Sequence, residues 1–345
     1  MKMGCKYGTH RVIEPQGVLP QPAVKIDNNM DIYDNEILID VIALNVDSAS
    51  FTQIEEEAGH DIEKIKAKIL EIVGEKGKMQ NPVTGSGGML IGTIEKIGTA
   101  LDGKIDLKVG DKIATLVSLS LTPLRIDEIV DIKPDIDRVE IKGKAVLFES
   151  GIYAKLPTDM SETLALAALD VAGAPAQAAK LSRPGNSILI LGAGGKSGMM
   201  CCYEAKKRVG PTGRVVGLVR SESDKKRLLD AGFCHEVIIA NAQMPVDVLN
   251  AALAANNGNE YDISINCVNV ANTEMSTILP VKDDGIVYFF SMATSFTKAA
   301  LGAEGVGKDV NMIIGNGYTK GHAAITLEEL RESAELRKIF EDLYL

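Results

Sequence analysis

The stretch Ser187-Ile188-Leu189-Ile190-Leu191-Gly192-Ala193-Gly194-Gly195-Lys196-Ser197-Gly198 decides the fold. Its first five residues form an apolar run without polar alternation, as expected of a strand covered on both faces. Glycines follow at once, and residues 198–209 then read as a helix. Glycines at a strand-to-helix turn let the backbone come close to a pyrophosphate, and the first N–H groups of the helix face that anion. A lone glycine pattern is weak, so the surrounding strand–helix context carries the reading. Gly195-Lys196-Ser197 echoes the end of an ATPase phosphate loop, but the glycine such a loop needs five residues earlier is Ile190. The spacing excludes that chemistry.

Outward from this turn the same grammar repeats. Residues 214–219, 236–240, 263–268 and 286–291 read as buried strands, with helices over 222–231 and around 246–255. Strand–helix repetition at this spacing predicts a doubly wound parallel α/β domain. The first ~150 residues differ: strands over 36–43, 90–97 and 112–117, separated by turns such as Asp102-Gly103 and Val109-Gly110-Asp111, predict a mostly antiparallel β domain. A helix over 61–73 interrupts it, with Ile62, Ile65, Ile69 and Val73 as its packed stripe. Near the end, Thr326-Leu327-Glu328-Glu329 has the form of a capping box that opens a closing helix, with Leu336, Ile339, Phe340 and Leu343 as its apolar face.

Composition narrows the function. A net charge of −10 argues against a nucleic-acid surface, which would need a basic stripe. Five cysteines without a CxxC pair read as buried free thiols in a reducing compartment. No apolar signal core follows Met1, and no apolar run reaches the ~18 residues of a membrane span. A cytoplasmic protein with no membrane partner is the expectation.

The end of the second strand of such a domain selects its dinucleotide. An acid there takes the ribose hydroxyls, whereas a neutral residue followed by a base accommodates a 2′-phosphate. Val219-Arg220-Ser221 carries no carboxylate, and Arg220, Ser221 and Lys225 are the candidate phosphate contacts. NAD and NADP both stay open, with a tilt toward NADP being accepted. Backbone at Cys267, Val268 and Asn269, and at Ser291 and Met292, is expected to border the nicotinamide.

Read in order, residues 44–47 (LNVD), 92–98 (GTIEKIG), 107–113 (LKVGDKI), 183–190 (RPGNSILI), the glycine turn and 229–233 (LDAGF) resemble the medium-chain dehydrogenase/reductase superfamily over nearly the whole chain. The resemblance implies a Rossmann domain over 161–324 and a GroES-like catalytic domain over 1–160, joined by the C-terminal helix 325–345. It also implies a homo-oligomer, most simply a dimer. The opening residues 6–15 (KYGTHRVIEP), residues 17–22 (GVLPQP) and residues 45–51 (NVDSASF) are similar to the L-erythro-3,5-diaminohexanoate dehydrogenases of anaerobic lysine fermentation. That similarity implies oxidative deamination of a small diamino acid, L-erythro-3,5-diaminohexanoate, to 5-amino-3-oxohexanoate and ammonia, with reduction of NAD, or of NADP if Arg220 admits it. The competing enzyme is a zinc-free NADPH-dependent quinone or enoyl reductase of the same superfamily. The competing class is a dinucleotide binder without turnover.

Departures from the superfamily matter as much as the matches. Where zinc-dependent members carry ligands, this chain has Asp47-Ser48, Gly85-Ser86-Gly87 and Asp170-Val171. Without thiolate or imidazole ligands a catalytic zinc has no site, so the expectation is a metal-free enzyme. His10, His60, His235 and His322 show no ligand spacing and read as surface or hydrogen-bonded residues. Oxidation of an amine needs a base and an anion beside the developing iminium. Asp47, Asp170 and Glu149 are the candidates, each also readable as a cap or turn residue. Ser48, Ser50 and Thr52 are candidate hydrogen-bond donors, and Arg125 or Lys155 a candidate partner for the substrate carboxylate.

Overall fold

In the computed structural model, which describes residues 2–315 and 317–344, the chain divides into two compact units, Met1–Thr158 and Asp159–Leu345. The first opens with a small antiparallel pair, β1 (Val12–Glu14) and β2 (Lys25–Ile26). Its main sheet is antiparallel, in the order β6-β7-β3-β4-β5-β8. These strands are β3 (Glu36–Asn45), β4 (Met89–Ile97), β5 (Lys112–Thr115), β6 (Leu124–Lys133), β7 (Arg138–Phe148) and β8 (Tyr153–Lys155). Three of the six were absent from the sequence reading. In β6 and β7 charged residues alternate with Ile and Val along one wet face, which dilutes the apolar signal of a strand.

Helices α1 (Ser48–Ala58) and α2 (Ile62–Lys76) pack their apolar faces into the core under this sheet. The buried stripe of α2 is Ile65, Ile69, Ile72 and Val73, a spacing of i, i+4, i+7 and i+8. Ile62 is instead exposed: it is the first helical residue, directly after the cap Asp61, and the helix has not yet turned its inner face to the sheet. A buried ion pair ties the amino-terminal segment to β3. Arg11 donates from Nε and Nη2 to the two carboxylate oxygens of Glu36, at 2.7 and 2.6 Å, and its remaining N–H groups reach the carbonyls of Asp27, Asn29 and Asp31. Burial alone would raise the Glu36 carboxyl, but Arg11, the Tyr33 amide and His10 hold it below its ordinary value.

The second unit contains α3 (Glu162–Leu169), α4 (Gly173–Leu181) and a parallel sheet in the order β11-β10-β9-β12-β13-β14. Its strands are β9 (Ser187–Leu191), β10 (Arg214–Val219), β11 (Glu236–Ile239), β12 (Tyr261–Asn266), β13 (Val281–Phe289) and β14 (Asn311–Ile314). Between them run α5 (Lys196–Val209), α6 (Glu222–Asp230), α7 (Pro245–Ala255), α8 (Glu274–Ile278) and α9 (Phe296–Val306). In order of appearance this is 3-2-1-4-5-6, the Rossmann arrangement, with its switch point between β9 and β12. The run Ile188–Leu191 is wholly buried, each side chain contributing roughly 1.5–3 kcal/mol relative to exposure.

The chain closes with α10 (His322–Glu332) and α11 (Ala334–Tyr344), which pack on α3, α4 and α5 within this second unit. The expectation grouped that segment with the first domain. The capping box is also corrected: α10 starts after Gly321, so Thr326 lies inside the helix, fully buried, with its hydroxyl toward the Ala172 carbonyl. The cap that opens α11 is Ser333, whose Oγ accepts from the Leu336 amide at 3.1 Å. Leu336, Ile339 and Phe340 are buried as expected, whereas Leu343 is exposed. Among the cysteines, Cys201, Cys202 and Cys234 are buried and Cys267 half-buried, but Cys5 is exposed at the amino terminus, away from any core. No helix among the described residues is long and apolar enough to cross a membrane.

Candidate active site

At the switch point the carboxyl ends of β9, β10 and β12 border a cleft of ≈ 440 Å³. Gly192, Gly194 and Gly195 form its floor, Val219, Arg220 and Asp224 one wall, and Cys267, Val268 and Asn269 another. Gly192 has φ +77°, a conformation open to glycine, and a Cβ there would stand 3.0 Å from the Cys267 backbone. Gly195 caps α5 without using a side chain, so the amides at the start of this helix are available to an anion. The place of the third fingerprint glycine is settled by packing. A Cβ on Gly198 would lie 2.1 Å from the Gly192 carbonyl oxygen, so Gly198 is the residue that lets the helix close on the turn. Ser197 is buried beside it. These features fit a dinucleotide pyrophosphate.

The other expected cofactor residues divide. Arg220 is exposed in the cleft wall, while Ser221 is occupied locally as the cap of α6, its Oγ accepting from the Asp224 amide. Lys225 follows in the first turn of that helix, half-buried. Asn266 fixes the β12 end: its side chain accepts from the Val268 amide and donates to Thr273 and Thr277. Ser291 and Met292 follow β13, with the Ser291 amide donating to the Asn266 carbonyl and the Met292 side chain 88% exposed. Lys196 is engaged within the protein, 3.4 Å from the Asp170 carboxylate and 5.2 Å from the centre of the Tyr344 ring. Tyr344 carried no signal in the sequence, because only the packing of α11 brings it to the turn.

Asp170 follows α3 as its carboxyl-terminal cap residue and is exposed. In the first unit Asp47 caps α1, half-buried, accepting from the amide and hydroxyl of Ser50 at 3.3 and 3.4 Å. Ser50 is buried and shares a hydrogen bond with Thr84, Ser48 bonds to Asp137, and Thr52 is exposed. The first unit does not bring Asp47 and Glu149 together. Asp47 follows the Asn45 end of β3, whereas Glu149 follows Phe148, which pairs with Glu36 at the other end. Nine residue steps of extended strand put these ends roughly 30 Å apart. Glu149 accepts instead from buried Asn35, at 2.9 Å. Arg125 pairs with Asp127 on β6, and Lys155 with Asp111. Arg138 was missed: register places it opposite Asn45, at the Asp47 end of the sheet. Its signal was hidden in the unread strand β7.

The histidines have structural surroundings. His10 bonds to Glu36, His60 lies beside Glu55, and His235 accepts from the Val215 amide, its pKa lowered by burial. His322 is buried, edge-on to Tyr318, and burial lowers it too. Among the described residues no group of three or more His, Cys, Asp or Glu side chains is placed to hold a metal ion.

An antiparallel β unit and a Rossmann unit with its cleft at the switch point together make the fold of a dinucleotide-binding oxidoreductase. The fold is shared with the enoyl reductase CurK (TM-score 0.52, 17% identity, 88% of this chain and 81% of that one). It is shared likewise with the Escherichia coli quinone oxidoreductase complexed with NADPH (TM-score 0.51, 16% identity, 90% and 80%). Residues 10–157 match the model of the L-erythro-3,5-diaminohexanoate dehydrogenase N-terminal domain. Over its whole length the chain is 82% identical to L-erythro-3,5-diaminohexanoate dehydrogenase of Acetoanaerobium sticklandii (99% of each chain). It is 75% identical to the protein of that name from Fusobacterium nucleatum (100% of each). The chain belongs to the L-erythro-3,5-diaminohexanoate dehydrogenase family, and is an oxidoreductase of the nicotinamide-dependent kind.

Proposed function

We propose that the chain oxidises the 3-amino group of L-erythro-3,5-diaminohexanoate, yielding 5-amino-3-oxohexanoate and ammonia, as a step of lysine degradation. The observation that supports this most is the 82% identity, end to end, with a relative bearing that name. The reaction balances as protonated amine, water and oxidised cofactor going to ketone, ammonium, reduced cofactor and one proton. Bound NAD(P) would supply the hydride acceptor, and the turn Gly192–Gly198 with Lys196, Ser197 and the first α5 amides would hold its pyrophosphate. The protein must take a proton from the substrate ammonium before hydride leaves C3, and must stabilise the cationic iminium that results. It must then pass protons as water adds and ammonia departs.

Asp47 is our choice for that base. It is half-buried at a helix start, and the superfamily resemblance implies that it lies at or beside a place where zinc-dependent members carry a metal ligand. Asp170 is our candidate for a second anion, and through Lys196 it steadies the turn. Arg138 is the cation we assign to the substrate carboxylate, in preference to Arg125 or Lys155, because of its position at the Asp47 end of β3. The reaction as drawn runs without zinc, since the charge that develops is the cation of the iminium, which a carboxylate stabilises directly. We place the enzyme in the cytoplasm as a homodimer.

The deciding experiment incubates the protein with the diamine and either NAD or NADP and follows reduced nicotinamide by absorbance. Reduction with release of ammonia supports the proposal. No reduction with the diamine, alongside NADPH consumption with a quinone or an activated alkene, overturns it.

A further inference from the structure

The end of β10 lacks the carboxylate that usually binds the adenosine ribose, yet the cleft it borders contains one. Asp224, in the first turn of α6, is half-buried in the cleft wall beside Arg220. Its side chain lies on the middle glycine of the turn: a Cβ at Gly194 would be 2.8 Å from Asp224 Cγ and 3.1 Å from Oδ2. Two donors hold the carboxylate, Arg227 Nη1 to Oδ1 at 2.8 Å and Ser221 Oγ to Oδ2 at 2.7 Å. Each carboxylate oxygen can accept a further hydrogen bond.

We propose that Asp224 selects the dinucleotide, accepting hydrogen bonds from the adenosine ribose hydroxyls of NAD and excluding the 2′-phosphate of NADP. The inference rests on the nicotinamide-cofactor reading above and deepens it. Its physical basis is the polarity of the hydrogen bonds. A carboxylate offers only acceptors; ribose hydroxyls can donate to it, whereas a phosphate at the pH of the cell offers acceptors and negative charge. Arg227 neutralises part of the Asp224 charge but leaves its oxygens and its volume in place, so a 2′-phosphate would have to displace the side chain from Gly194. Arg220 is the rival feature. It is exposed, and its planar guanidinium can cover the adenine face without meeting the ribose.

The test measures NADH and NADPH affinity by fluorescence titration, and kcat/KM for NAD and NADP with the diamine, on the full-length protein. Wild type should favour the NAD form by about tenfold or more. Asp224→Ser should cut that preference by about 10- to 100-fold, weakening NADH and strengthening NADPH. Asp224→Asn keeps the shape and the Ser221 contact, and should give an intermediate loss if the serine variant folds poorly. Arg220→Ala should leave the preference within about threefold. A wild-type preference for NADP, or an unchanged ratio in both Asp224 variants, overturns the assignment while leaving the cofactor reading intact. Binding of neither dinucleotide overturns that reading and this assignment with it.

Discussion

Replacing Gly198 with alanine separates the two jobs that glycines perform in this turn. The new methyl group would sit 2.1 Å from the Gly192 carbonyl oxygen and 2.7 Å from Ala193 Cα, where ordinary contact begins at 3.4 Å. Both neighbours are backbone, so relief requires α5 to move away from the turn by roughly 1 Å, an overpacking cost of about 1–3 kcal/mol or more. Alanine returns at most about 1 kcal/mol through helix propensity, leaving a net loss near 2 kcal/mol. For a unit of this size that lowers Tm by about 4–8 °C. Gly195 is the matched control, because a Cβ there meets nothing closer than 3.7 Å within the protein and its φ is negative. Gly195→Ala should therefore keep the wild-type Tm to within about 2 °C, yet bind NADH at least about tenfold more weakly, because the methyl group enters the anion site. Differential scanning calorimetry and NADH titration read the two effects. A Gly198→Ala protein with wild-type Tm, or a Gly195→Ala protein equally destabilised, would refute the assignment of Gly198 to packing and Gly195 to the ligand.

Asp47→Asn should lower kcat by about 10²- to 10⁴-fold while NADH affinity stays within about twofold, and Asp170→Asn should act in the same direction. Glu149→Gln, at the far end of β3, should leave kcat nearly unchanged; a loss as large as that of Asp47→Asn would contradict the strand register. Glu36→Gln should cost about 3–5 kcal/mol in chemical denaturation, because Arg11 is left buried without the negative charge of its partner. The Glu36 carboxyl is held below its ordinary value, so its contribution is present at neutral pH and lost as pH falls through the acid range. Glu329 has the opposite sign. It is buried, neither carboxylate oxygen has a partner, and burial with Glu204 nearby raises it well above the usual carboxylate range. The unfolded chain thus loses this proton first, and stability should fall by up to about 1.4 kcal/mol per pH unit as pH rises past the ordinary carboxylate value. Unfolding free energies of Glu329→Gln measured across that window should lack this slope; parallel curves for variant and wild type would remove Glu329 from the account.

The elements whose signals are local were legible. The run 187–191 and the glycines after it matched the observed β9 and the turn into α5, because an apolar β-branched strand and a positive φ at Gly192 are demands a few adjacent residues can state. The same holds for β10, α6 and the stripe of α2, apart from its first turn. Strands β6 and β7 were not legible, since one wet, charged face masks their periodicity. The Thr326 box failed for a related reason: a cap is defined by where the helix starts, and tertiary packing had already started it at His322.

From sequence alone came the parallel α/β domain, the glycine turn as its ligand-binding feature, and the family resemblance. Only the tertiary structure decided that Gly198 fills the third glycine's role and that Asp224 enters the cleft. It alone tied Lys196 to Asp170 and Tyr344, and set Asp47 and Glu149 at opposite ends of one strand. The physical reason is the same in each case. Backbone preference and hydrophobic period act over a few residues, whereas side-chain neighbours depend on strand register and on how helices far apart in the chain pack against one another.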